Sequence, residues 1–217
     1  TFLFFDDFSG SLSKWTNPAG CAATITSGYM SIPSSANCDI EPVYATGLNY
    51  SDVSGYILEF RGKFSSGGNG RLQTYQRRRN ANGYIARFWI GGSTATNAQE
   101  YTGGWGASTN VGANNMAADT WYNLRTKVLG SNNTFYVDGS SIGSITSSAS
   151  LTPFTDLTFG LGQYSTAVQY DDVRVRKTTS TEPTWASFGS EETPTALSYS
   201  ASGVAASTNL LTGISDI

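Results

Sequence analysis

From Tyr56 to Leu161 this chain alternates apolar and polar side chains, and turn residues break the alternation roughly every dozen positions. In Tyr56-Ile-Leu58-Glu-Phe60-Arg-Gly62-Lys-Phe64 one set of positions is aromatic or aliphatic, while Glu59, Arg61 and Lys63 take the other. Successive strand side chains point to opposite faces, so this reads as a half-buried strand. Tyr84, Ala86, Phe88 and Ile90 alternate with Ile85, Arg87 and Trp89; Tyr122, Leu124 and Val128 alternate with Asn123, Arg125 and Lys127. Phe135 and Val137, then Leu157, Phe159 and Leu161, continue the pattern. Gly67-Gly-Asn-Gly70, Asn80-Ala-Asn-Gly83, Asp138-Gly139 and Gly160-Leu-Gly162 read as hairpin-type punctuation. No segment carries a 3.6-residue apolar stripe over three turns. The expectation is an all-β sandwich.

At 217 residues the length suits one such sandwich, or a sandwich plus a tail. The chain has no histidine, which removes Ser-His-Asp and Cys-His catalysis and every His-ligated metal site. Two cysteines cannot form a four-thiolate zinc site. What remains is carboxylate, tyrosine, arginine or lysine chemistry, or none. A formal net charge of −3 argues against sequence-independent nucleic-acid binding, which needs a basic field. No apolar run approaches the ~18 residues of a membrane span. With 29 Ser and 26 Thr against 4 Lys, the surface is hydroxyl-rich and weakly charged, as exposed sheets of extracellular proteins are. The chain opens on Thr1 without an initiator Met and reads as a processed segment. In an exported context Cys21 and Cys38 pair as a disulfide, the alternative being two free buried thiols. Asn49-Tyr-Ser51 and Asn132-Asn-Thr134 are N-glycosylation sequons, of a kind that recurs by chance in so Ser- and Thr-rich a chain.

Three stretches resemble the concanavalin A-like jelly-roll superfamily. Asp6-Asp-Phe8-Ser-Gly10, followed by Leu12 and Trp15, is similar to the opening of laminarinase- and agarase-type glycoside hydrolases. Gly55-Tyr-Ile-Leu-Glu59-Phe-Arg61-Gly-Lys63-Phe resembles the strand before their catalytic strand, and Tyr170-Asp-Asp172-Val-Arg174-Val-Arg176 their closing strand. Trp121-Tyr-Asn-Leu124 through Phe135-Tyr-Val137-Asp-Gly139 also resembles laminin-G-type domains. Thr1-Phe-Leu-Phe-Phe-Asp-Asp-Phe-Ser-Gly10 resembles the junction where such a jelly roll follows another domain in prokaryotic surface proteins. The resemblance covers residues 1–178 and implies a concanavalin A-like jelly-roll β-sandwich there, with 179–217 as a Ser/Thr-rich C-terminal extension.

The departure from the glycosidase pattern bears on activity. Those enzymes carry two glutamates and an aspartate alternating on one strand, because acid and nucleophile must flank one glycosidic bond about 5 Å apart. Here Arg71-Leu-Gln-Thr-Tyr75-Gln-Arg77-Arg-Arg79 and Tyr84-Ile-Ala-Arg87-Phe-Trp89 contain no acid, and none lies between Glu59 and Glu100. The expectation is a non-enzyme. Three catalytic alternatives stay on the page: the i, i+2 carboxylates Asp39 and Glu41, the Ser11-Leu-Ser-Lys14 string, and a lyase working with Tyr75, Arg77 and Arg87.

Asp171 shares the alternation face of Val173 and Val175, so a carboxylate is expected on the core side, where it needs a partner. The resemblance implies one structural calcium held by Asp171 with Asp6 or Asp7; backbone amides or an arginine are the alternative partners. Gln73, Tyr75, Arg77, Arg87 and Trp89 form the mixed aromatic and planar-polar face that sugars bind, with Trp105 as a wall; the plainer reading is a solvated sheet face. The tail segment Leu197-Ser-Tyr199-Ser-Ala201 alternates cleanly, as does the N-terminal run through Phe2 and Phe4. Either strand, added to a neighbour's sheet edge, makes a head-to-tail filament; the alternative is a tail docked on its own domain. The leading expectation is a non-catalytic structural or adhesive protein of a prokaryotic cell surface, its partner a copy of itself or another surface protein. A carbohydrate-binding module of a larger surface protein and a polysaccharide-degrading enzyme are the alternatives.

Overall fold

The computed structural model describes residues 2–17, 20–34, 38–40, 55–66, 71–79, 82–89, 95–101, 104–146 and 158–178. The chain divides into units Thr1–Ser180 and Thr181–Ile217. The second unit, with Leu197, Tyr199 and Ala201, lies wholly outside the described residues, as do Asn49 and Glu41.

The strands are β1 (Phe2–Asp6), β2 (Thr24–Thr26), β3 (Tyr29–Ile32), β4 (Cys38–Ile40), β5 (Gly55–Phe64), β6 (Arg71–Arg79) and β7 (Asn82–Trp89). They continue as β8 (Ala95–Tyr101), β9 (Thr109–Ala113), β10 (Tyr122–Leu129), β11 (Asn132–Val137), β12 (Ser140–Thr146), β13 (Thr158–Tyr164) and β14 (Val168–Lys177). The larger sheet runs β12-β11-β10-β5-β14-β3-β2, with β1 also on β14; the smaller runs β4-β13-β6-β7-β8-β9. Every described pairing is antiparallel. The expected all-β, concanavalin A-like jelly roll is therefore the fold.

The alternation of β5 sets the core. Tyr56, Leu58, Phe60 and Phe64 are buried, as are Leu124 and Val128 of β10 and Val173 and Val175 of β14, against Ile40, Leu72, Phe159 and Leu161 of the other sheet. Phe4 stands 5.2 Å from Trp15 and 5.3 Å from Phe159, and Trp15 packs edge-on against Phe159 at 5.8 Å. Such aromatic pairs contribute about 0.5–1.5 kcal/mol each beyond area burial, and here they tie β1 to β13 of the opposite sheet. Tyr170 makes a second tie: its hydroxyl donates to Gly162 O at 2.6 Å and accepts from Gln73 N–H at 3.3 Å, bridging β13 and β6. Cys21 and Cys38 form a disulfide with a Cα separation of 5.2 Å, anchoring the short edge strand β4. Closing a loop of this length contributes about 3 kcal/mol by the chain-entropy model.

Three expectations are corrected. Gly160-Leu-Gly162 is not a turn but the middle of β13, where the two glycines sit opposite Tyr75 and Gln73 of β6; a side-chain-free strand position accommodates a large neighbour. β5 and β6, which flank Gly67-Gly-Asn-Gly70, belong to different sheets and do not pair as a hairpin, and residues 67–70 themselves lie outside the described residues. The N-terminal strand, expected as one candidate for a neighbour's sheet, completes its own: Phe4 and Asp6 pair with Val175 and Val173. By contrast Asp138 and Gly139, at φ +46° and +82°, make the tight β11–β12 hairpin turn the sequence indicates.

Candidate functional site

The smaller sheet brings the expected sugar-facing positions into register but does not leave all of them open. Arg71 pairs with Trp89, Gln73 with Arg87 and Tyr75 with Ile85, as the alternation requires. The ladder extends in both directions: Asp39 (β4), Gly162 (β13), Gln73 (β6), Arg87 (β7), Asn97 (β8) and Asn110 (β9) occupy one row. Five inter-strand steps of ~4.8 Å make this row about 24 Å long, the reach of a short oligosaccharide. Gln73 and Tyr75, however, are only 3% and 7% exposed. Gln73 also spends its amide on Gln163 O at 3.1 Å. The expectation that both offer themselves to solvent is therefore corrected. For Asp39, Arg77, Arg87 and Trp89 the strand positions are described and the side chains lie outside the description.

Trp105 is the expected residue that stands open, at 52% exposure. After β8 the chain folds back on itself: Tyr101 and Trp105 form an isolated bridge, and Gly106 N–H donates to Glu100 O at 2.9 Å. The return places the Trp105 ring edge-on to Tyr101, centroids 4.8 Å apart. Ala98 is fully buried, so Asn97, Gln99 and Tyr101 project to the opposite, outer face. Gln99 Nε2 donates to Gly106 O at 2.6 Å and its Oε1 is buried, so this amide braces the return of the chain at Trp105. An exposed indole beside a phenol and the Asn97 amide can stack a sugar's CH face and hydrogen-bond its hydroxyls. The sequence reading missed Asn97, Gln99 and Tyr101. Ala95-Thr-Asn-Ala-Gln-Glu-Tyr101 does alternate, but its inward residues are too small to signal a core face.

The carboxylates expected around calcium are otherwise engaged. Asp6 is buried and accepts from Trp15 Nε1 at 2.6 Å and Phe8 N–H at 3.2 Å, with Lys14 Nζ 3.4 Å away. Asp7 is exposed and held by Ser9, whose hydroxyl and amide both donate to it and lower its pKa. Asp171 does not face the core. A bulge between Asp171 and Arg174 adds a residue between buried Tyr170 and Val173, with Asp172 at φ +49°. Asp171 is thereby turned to the side of Arg61, whose Nη1 is 3.2 Å away. Desolvation raises the Asp171 pKa, against the lowering effect of the Asp172 N–H and Arg61. Among the described residues no three His, Cys, Asp or Glu side chains converge as a metal cluster, so calcium stays an implication of the resemblance. Asn132 of the second sequon is exposed at the start of β11.

No protein-family model matches the chain, and no curated protein matches its sequence. Solved structures do share its fold. The carbohydrate-binding module CBM66 from Bacillus subtilis is 18% identical, covering 76% of this chain and 96% of that one, with a TM-score of 0.61. A Bacillus licheniformis β-glucanase is 15% identical over 81% of this chain and 98% of its own, TM-score 0.60. A Bacillus subtilis protein of unknown function with a galectin-like fold is 11% identical over 81% and 96%, TM-score 0.59. The chain is thus a jelly-roll domain of the kind found in glycoside hydrolases and carbohydrate-binding modules. At these identities the likeness establishes the fold alone.

Proposed function

We propose that this domain is a non-catalytic carbohydrate-binding module of an exported protein, holding neutral glycan on the outer face of its smaller sheet. The observation that carries the reading is the open Trp105 ring, edge-on to Tyr101, on the strand face that also carries the Asn97 amide. The similarity to a carbohydrate-binding module over 96% of that module's length supports it, and the disulfide supports export. The lack of any acid between Glu59 and Glu100 supports binding without hydrolysis. The test is affinity electrophoresis through gels containing β-glucan, xylan, fructan or galactan. Trp105→Ala and Gln99→Ala are expected to abolish retardation on the polysaccharide that retards the wild type, with unchanged circular dichroism. Full retardation of both variants rejects the site, and release of reducing sugar by the wild type rejects the non-catalytic reading.

The filament reading keeps one donor of the two expected. Phe2–Asp6 is used within its own sheet, and the other candidate, around Leu197, Tyr199 and Ala201, lies outside the described residues. A monodisperse monomer by light scattering removes that reading.

A further inference from the structure

The outer face of the larger sheet holds a hollow of about 280 Å³ over β5, β10 and β14, unrelated to the Trp105 site. Alternation sends Glu59, Arg61 and Lys63 of β5, Arg125 and Lys127 of β10, and Arg174 and Arg176 of β14 to this face, and the β14 bulge adds Asp171 and Asp172. Six cations thus stand among three carboxylates on these three strands, while the whole chain is formally −3. Most of these cations already have anionic or aromatic partners. Arg174 and Arg176 stand 2.9 Å and 3.5 Å from Glu59, and Arg61 is 3.2 Å from Asp171. Lys63 lies over the Trp121 ring, 5.3 Å from its centroid.

Arg125, which lines the hollow, has an aromatic neighbour but, among the described residues, no ion pair. Its guanidinium sits over the Tyr136 ring, 3.8 Å from the centroid. Its Nε is buried with no hydrogen-bond partner. That nitrogen is out of reach of solvent, so an incoming acceptor meets the guanidinium at its Nη groups, in the plane that the ring stack sets. Asn123 and the Gly139 turn complete the wall, and the Asn123 backbone N–H donates to Asp138 Oδ1 at 2.9 Å.

We propose that this hollow binds a carboxylate-bearing saccharide unit of the uronate type, with Arg125 receiving the carboxylate. Guanidinium and carboxylate match as a two-pronged fork, and the pair is charge-assisted. The wall also contains Glu59 and Asp172, which repel a dense dianion such as phosphate and offer acceptor oxygens to sugar hydroxyls. One carboxylate among hydroxyls is the chemistry that fits both halves of the wall, and the volume suits about one sugar ring. The site is independent of the one at Trp105, so a domain carrying both holds a neutral and an acidic glycan on opposite sheets.

The test is calorimetric titration of the full chain with a galacturonate trisaccharide and with the corresponding neutral galactose trisaccharide. Wild type is expected to bind the uronate at least about tenfold more tightly than the neutral sugar. Arg125→Gln is expected to erase that difference, and Trp105→Ala to leave it intact. Equal affinity for the two sugars, unchanged uronate binding by Arg125→Gln, or displacement of the uronate by equimolar inorganic phosphate overturns the proposal. Should Arg125→Gln not fold, wild-type amide resonances of Asn123 and Gly139 supply the readout. Their movement on adding uronate supports the site, and their indifference overturns it.

Discussion

Asp6 offers a quantitative test of how the N-terminal strand is held. The carboxylate is 3% exposed and accepts two buried N–H groups, from Trp15 Nε1 at 2.6 Å and from the Phe8 backbone at 3.2 Å. Asp6→Ala removes both acceptors, and each stranded buried donor costs about 1–3 kcal/mol. Lys14 Nζ, 3.4 Å away on a side chain that is 46% exposed, adds little, because solvent-screened pairs contribute at most about 1 kcal/mol. The expected loss is therefore about 2–6 kcal/mol, the larger part on the Trp15 side where the bond is short and charge-assisted. Asp6→Asn keeps an acceptor oxygen and forfeits the charge, so about 1–2 kcal/mol is expected. Trp15→Phe preserves most of the ring packing and strands the carboxylate instead. Urea unfolding at neutral pH, followed by circular dichroism with the disulfide intact, gives each value by linear extrapolation. The double variant Asp6→Ala/Trp15→Phe must recover part of the summed loss, since both partners of the bond are then gone. A loss below about 1 kcal/mol for Asp6→Ala, or strict additivity in the cycle, refutes the account of β1 as clamped by this bond.

Two further outcomes follow from the geometry. A Cβ on Gly112 runs into the Ile142 carbonyl oxygen, and one on Gly143 (φ +146°) into that of Val111. Gly112→Ala and Gly143→Ala should each cost at least about 2 kcal/mol, read as a lowered thermal midpoint, and midpoints unchanged by either refute the close approach of β9 and β12. Asp171 has a raised pKa from desolvation, so the folded state holds its proton more tightly than the unfolded chain does. Its contribution to stability is most favourable below about pH 4 and declines as pH rises through the folded pKa. The wild-type minus Asp171→Asn stability difference should fall from about pH 3 to pH 6, and a rising difference contradicts the assignment.

How far the sequence carries depends on whether a strand follows its own period. β5 does: Tyr56, Leu58, Phe60 and Phe64 point inward, with Glu59, Arg61 and Lys63 on the other face. β14 does not, because one bulged residue reverses the facing of everything before it, and Asp171 moves from the expected core side to the side of Arg61. Nothing in Tyr170-Asp-Asp-Val announces the bulge; it becomes visible only when Tyr170 and Val173 are both found buried. Glycine misled for a related reason. Gly160 and Gly162 meet the criteria of a turn, yet in β13 they provide room beside Tyr75 and Gln73. The site was partly legible: Trp105 could be picked out as an exposed aromatic between glycines. Gln99 and Tyr101 were not, because their strand packs inward through Thr96 and Ala98, which are too small to mark a face.

The charge distribution separates the two faces chemically. In sequence, β6 and β7 contain Arg71, Arg77, Arg78, Arg79 and Arg87 and no acid. This is the opposite of what glycoside cleavage requires, since general acid and nucleophile are both carboxyl groups. The larger sheet, by contrast, interleaves acids with bases so that Glu59 meets Arg174 and Asp171 meets Arg61, leaving Arg125 without a hydrogen-bonded acceptor at Nε. Glu59 and Asp172 both line the hollow. Glu59 is there ion-paired to two arginines and Asp172 faces a third, at 3.8 Å. The arginines on this face are suited to receiving an anion, which is the chemistry that the binding proposal for the hollow uses.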